Sequence, residues 1–234
     1  MIHHRDTRLA GLPRNLLLAS LLILVFIALA LGVVYNYILA FDKTVSDAVR
    51  HLTSPQVTAI MLAVTFGANT KTMFVIVPIL VVIFYLLKRP LNELFLIILS
   101  TTGSWFILDQ LKELFHRPRP DNPLVPASGF SFPSGHAMMS IAFYGAVAYL
   151  LGRNHPDSRP ARFLAGVFAL FILTIGISRV YLGVHYPSDV LAGFAAGGAW
   201  LVICITIIGI TAHRSKTGIY GRASKLFLLG KFFD

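Results

Sequence analysis

Three short polar clusters interrupt an apolar chain: KELFHRPRP at 112–120, FPSGH at 132–136 and SRVYLGVHYPSD at 178–189. They carry three cations, Lys112, Arg119 and Arg179, beside long apolar runs. Arg presents a planar fork of donors that matches phosphate oxygens, and Lys adds a point charge. If the apolar runs cross a membrane, an unpaired cation costs at least ~2.5–3.5 kcal/mol near mid-bilayer and less near the surface. Snorkelling toward lipid headgroups accounts for any one of these residues. Three together repel one another, so an anion is expected among them.

The second cluster offers that anion a seat. Pro133 suits the first turn of a helix, and Gly135 lets an anion approach the backbone closely. A helix start presents free N–H groups and a positive dipole end, which makes Ser134 and Gly135 candidate phosphate ligands. A Pro-Ser-Gly turn alone is weak evidence, and His136 alone reads equally well as a capping or interfacial histidine.

In the third cluster Pro187 disfavours helix at Tyr186. The next helix is therefore expected to start near Pro187, with His185 in the preceding loop and Asp189 in the first turn. Their i, i+4 separation lets the carboxylate reach back to the ring. An Asp accepting from Nδ1–H fixes the imidazole tautomer and leaves Nε2 as a nucleophile or base. Taken alone, Asp189 is also an ordinary acid at a helix N-terminus.

The elements that must position these clusters follow from composition. Of 234 residues, 56% are hydrophobic and only 13% charged, with a mean hydropathy of +0.74. A soluble globular domain carries about 25% charged residues, so that class is excluded, as are disorder, collagen and coiled coil. The formal charge of +10 does not indicate nucleic acid, because the positive residues sit between the apolar runs. The single cysteine, Cys204, lies inside the last run, which leaves no disulfide framework and no cysteine metal site.

The reading is an all-α, polytopic membrane protein of one domain, 1–234, with six spans at 16–39, 72–87, 91–111, 133–151, 163–178 and 188–212. The first run is expected to be a retained anchor, being longer than a cleaved signal's apolar core. A short interfacial helix is expected at 41–52, and 57–66, too short to span alone, as a half-helix or re-entrant piece ending at Gly67-Ala68-Asn69. Six spans put both termini on one side. The cations Arg5, Arg8, Arg14, Lys88, Arg89, Arg153, Arg159, Arg162, Arg214, Lys216, Arg222, Lys225 and Lys231 fall on that side. The positive-inside rule makes it cytoplasmic and turns the three polar clusters outward. The tail at 222–234 reads as a surface amphipathic helix without chemistry.

The pattern Lys112-x6-Arg119-Pro120, Pro133-Ser134-Gly135-His136 and Ser178-Arg179-x5-His185-x3-Asp189 resembles the complete signature of the type 2 phosphatidic acid phosphatase superfamily, over 112–189. Arg117 adds a second Arg-Pro pair, but only Arg119 has the six-residue spacing from Lys112. The resemblance implies a metal-independent lipid phosphatase without a cofactor, working through a phosphohistidine. His185 is then the nucleophile, Asp189 its orienting acid, and His136 the general acid. Lys112, Arg119, Ser134, Gly135 and Arg179 hold the phosphate. The implied partners are a lipid phosphate or pyrophosphate and the bilayer, at the outer face of the cytoplasmic membrane. Lipid phosphotransfer through the same phosphohistidine is the alternative, followed by non-catalytic lipid-phosphate binding or transport.

Overall fold

The computed structural model describes residues 12–217, and they form helices joined by turns and loops, with no strand among them. The helices are α1 (Leu12–Val34), α2 (Leu39–Arg50), α3 (Pro55–Phe66), α4 (Thr70–Leu86), α5 (Leu91–Phe115), α6 (Gly135–Asn154), α7 (Arg159–Tyr181) and α8 (Pro187–Thr217). Within α6 the turn at Ile141–Gly145 widens to a π-helical one. Five of them, α1, α5, α6, α7 and α8, are long and apolar enough to cross a bilayer. The sixth expected span is a bent pair: α3 and α4 meet at 47° across a short break, and only together do they meet the same length and hydropathy test. The segment at 57–66 is thus the first arm of this pair. The tail helix expected at 222–234 lies outside the described residues.

Helix boundaries follow local chemistry. The first run breaks earlier than its apolar pattern suggests, because Asn36 takes a left-handed conformation (φ 60°) and its N–H closes on the Val33 carbonyl. Asn tolerates that conformation better than most residues, so it ends α1 and lets α2 begin as a separate amphipathic helix. Ser54 caps α3 by accepting from Val57 N–H at 3.3 Å, ahead of Pro55. Ser158 does the same for α7 through Ala161 N–H. These caps extend α3 and α7 beyond their purely apolar stretches.

The main core joins α4 to α8 around Ile97, Phe143, Tyr144, Ile175 and Cys204. Small residues set how closely α8 approaches α6. A Cβ at Gly193 would lie 2.6 Å from the Ser134 carbonyl oxygen, and one at Gly197 would lie 2.6 Å from that of Met138. The pair, four residues apart, lets the first turn of α6 lie against α8 backbone to backbone, as small residues do between membrane helices. That contact brings the second polar cluster onto the third, and Ser134 N–H bonds the Asp189 carbonyl at 2.9 Å.

Candidate active site

The C-terminal ends of α5 and α7 and the N-terminal ends of α6 and α8 converge at one end of the bundle around a cavity of about 510 Å³. Lys112, Arg119, Gly135, His136, Arg179 and His185 all line it. Ser134 and Asp189, both fully buried, stand behind its wall. Three chain segments 77 positions apart at the extremes thus meet as the sequence pattern requires.

The loop that carries His185 is rigidly built. Gly183 (φ 68°) ends α7 with its N–H on the Val180 carbonyl, while Val184 N–H reaches the Arg179 carbonyl. This double closure needs a left-handed residue, which Gly supplies without a Cβ clash. Arg119 then fastens the loop from across the cavity. Its Nη1 donates to the Val184 carbonyl at 2.7 Å, Nε to the Gly129 carbonyl at 3.0 Å and Nη2 to the Ser128 carbonyl at 2.9 Å. The same Nη1 stands 3.2 Å from His185 Nε2.

That last contact fixes the ring chemistry. A guanidinium only donates, so the nitrogen facing it must present a lone pair. The neutral ring then carries its proton on Nδ1, which faces Asp189 Oδ2 at 3.5 Å. The separation is longer than a strong hydrogen bond, as is common before substrate binds. Burial is the main influence on His185 and holds its pKa down at about 4, against the upward pull of Asp189 and with further depression from Arg119. The ring is therefore neutral, with Nε2 unprotonated and facing Arg119, throughout the physiological range. An NMR titration of the His185 ring is expected to give a midpoint near pH 4; a midpoint at or above 6.5 would mean that Asp189 outweighs burial. Arg119 is also shifted downward by burial, partly offset by Asp189.

Asp189 is held on every side. Its Oδ2 accepts from Tyr186 N–H at 2.8 Å and from the Ser131 hydroxyl, and its Oδ1 accepts from Arg117 Nη1 at 2.5 Å. In the sequence pattern Arg117 opens a second Arg-Pro pair without the six-residue spacing from Lys112. The structure places it on the far side of Asp189, with its guanidinium also over the Tyr186 ring at 4.2 Å. Ser131 and Arg117 are the residues that the reading missed here. The signal available was the repeated Arg-Pro pair and a serine just before the Pro-Ser-Gly-His turn.

The other two cations keep donors for a ligand. Lys112 Nζ donates to the Phe130 carbonyl at 2.6 Å. Arg179 Nη1 donates to Thr65 Oγ1 at 2.7 Å, while its Nε is buried with no partner among the described residues. Ser134 Oγ is likewise buried and unpaired among them. Thr65 comes from the end of α3, so the bent helix pair also shapes this cavity, with Thr70 at the start of α4 on its wall. Orphaned donors around clustered cations at a helix start form a phosphate-shaped site.

Comparison with known proteins agrees. Phosphatidylglycerophosphatase B of Bacillus subtilis is 36% identical over 182 residues, 75% of this chain and 87% of that protein. Lipid A 1-phosphatase of Rhizobium etli is 36% identical over 116 residues, 45% of each chain. The crystal structure of the transmembrane PAP2-type phosphatidylglycerolphosphate phosphatase from Bacillus subtilis superposes with a TM-score of 0.73 at 31% identity, covering 80% of this chain and 93% of that one. With the PAP2 superfamily model matching residues 90–211 as well, the chain belongs to the PAP2 superfamily and is a membrane lipid phosphatase.

Proposed function

We propose that the chain hydrolyses a lipid phosphate monoester or pyrophosphate through a phosphohistidine on His185. The observation that carries this reading is the buried His185 ring on the wall of the cavity, with Nε2 3.2 Å from Arg119 Nη1 and with Lys112 and Arg179 on the same cavity. Nε2 attacks phosphorus, the bond to the leaving oxygen breaks, and protonated His136 gives that oxygen its proton. Water then attacks the phosphohistidine, neutral His136 takes its proton, and the N–P bond breaks to release phosphate and restore the ring. Lys112, Arg119 and Arg179, with Ser134 and the Gly135 amide, hold the equatorial oxygens, since phosphoryl transfer asks mainly for positioning and charge stabilisation.

The lipid reading is supported by an apolar groove of about 360 Å³ between α4 and α5, lined by Phe74, Val77 and Pro78. It shares Thr70, Trp105 and Met139 with the main cavity. A lipid can keep its tail in this groove while its phosphate reaches His185. A phosphatidylglycerophosphate-type substrate is favoured, because the Bacillus subtilis phosphatase that matches 75% of this chain carries that activity in its name, as does the Bacillus subtilis crystal structure. Isoprenyl pyrophosphates are the second class. The site faces outward: Lys88, Arg89, Arg153, Arg159 and Arg162 lie at the opposite ends of the helices that carry it, in turns that the positive-inside rule makes cytoplasmic.

Purified protein in detergent with excess EDTA is expected to release phosphate from long-chain lipid phosphates faster than from a soluble short-chain ester. An alkaline quench during turnover of a labelled substrate should trap label on the protein that survives base and is lost in acid, as a phosphoramidate is. Turnover abolished by EDTA, or trapped label stable to acid, would overturn the reading.

A further inference from the structure

The buried carboxylate that this mechanism does not use is Asp42. It belongs to α2, the short amphipathic helix, and has no exposed surface. Its Oδ1 accepts from Ser188 N–H at 2.9 Å, and its Oδ2 accepts from Ser188 Oγ at 2.6 Å and Arg117 Nη2 at 2.7 Å. The Arg117 fork therefore spans two carboxylates, Asp42 through Nη2 and Asp189 through Nη1. Nη1 also donates to Ser188 Oγ at 2.8 Å, which closes the group.

We propose that Asp42 is a positioning residue for the reaction, acting on His185 through Arg117, Ser188 and Asp189. The proposal rests on the reading of His185 as the reacting group. Arg117 alone beside Asp189 would make a neutral pair, and the negative field that Asp189 exerts on the ring would be largely cancelled. Asp42 restores a net charge of minus one to the group. A ring that gains a phosphoryl group at Nε2 while keeping its Nδ1 proton becomes positively charged, and that is the state a net negative group behind Nδ1 favours. The opposing charges at the ring are Arg119, on the Nε2 side, and Arg179, which lines the same cavity. Asp42 also fixes geometry. With Arg117 holding Asp189 Oδ1, only Oδ2 remains for Nδ1, the Ser131 hydroxyl and Tyr186 N–H.

The test is single-turnover formation of the trapped phosphoenzyme, beside steady-state kinetics, in Asp42→Asn. This variant keeps the shape and removes the charge. The rate of label appearance and kcat are expected to fall by about 10- to 100-fold, the loss seen when hydrogen-bonding partners that orient a metal-bound histidine are removed. The final amount of label and KM should stay within about twofold, because every folded molecule still binds and reacts. Asp47→Asn, which removes a carboxylate from the exposed face of the same helix, should leave kcat unchanged. If Asp42→Asn does not fold, Arg117→Lys carries the same expectation, since a single ammonium cannot bridge two carboxylates as the fork does. A merely structural role would lower the label amplitude at an unchanged rate, and that result overturns the proposal. His185→Ala inert with Asp42→Asn at wild-type kcat overturns it alone, whereas His185→Ala with wild-type turnover overturns the phosphohistidine reading as well.

Discussion

Replacing His185 by Ala is expected to lower kcat on the order of 10⁴-fold or more while phosphate binding survives. The ring lines the cavity with its acceptor nitrogen fixed in direction, by Arg119 at 3.2 Å and by the double closure at Gly183. Without it the three cations still bind and polarise a phosphate, but the nitrogen that Arg119 orients to take the phosphoryl group is gone. Asp189→Asn should lose less, because the ring stays in place and loses only its orienting charge, in line with the smaller cost of removing the third member of a catalytic triad. The measurement is phosphate release at saturating lipid, with binding followed separately through competition by inorganic phosphate. His185→Ala retaining a tenth of wild-type turnover would mean that another group, or water directly, attacks phosphorus.

The sequence made the cavity legible because each of its residues lies in a short motif with its own physical reason. Pro133 and Gly135 start a helix, Pro187 ends a loop, and Lys112, Arg119 and Arg179 are cations where the surrounding chain is apolar. The structure places Lys112, Arg119, Gly135, His136, Arg179 and His185 around one cavity, with Ser134 and Asp189 buried next to Gly135 and His185. The supporting contacts were less legible. Asp42 is separated from Ser188 by 146 positions, and an acid in an amphipathic helix reads as solvated. Its place is nonetheless marked: Asp42 shares a helix face with Val45 and Val49, and Val49 packs against two buried clusters, one holding Val180 and Val190 and the other Val184. A charge on the apolar stripe of such a helix asks for a buried partner. Thr65 was hidden for another reason. The apolar stretch that contains it is too short to span, so only its bend against α4 reveals that its end faces Arg179.

Arg179→Gln is expected to separate activity from stability. Arg179 is only 8% exposed, and one of its donors goes to Thr65 while Nε has no partner among the described residues. Removing a preorganised donor aimed at transferring oxygens costs about 10²- to 10³-fold in kcat, and the loss of the positive charge places Arg179→Gln at the upper end of that range. Stability should move the other way in ligand-free protein. Arg179 shares its cavity with Lys112 and Arg119, and among the described residues no carboxylate lines that cavity, so Asp189 behind it offsets the three like charges only in part. Substituting a neutral side chain that can still donate to Thr65 relieves their repulsion, so the melting temperature in detergent is expected to rise. Inorganic phosphate should then raise the melting temperature of the wild type, because it binds the folded state alone, and should do little for the variant. If Arg179 served chiefly to clamp Thr65 and the bent α3–α4 pair, Arg179→Gln would melt lower and still respond to phosphate. The two melting curves, with and without phosphate, therefore decide whether this buried guanidinium is there for the ligand or for the fold, and the site geometry favours the ligand.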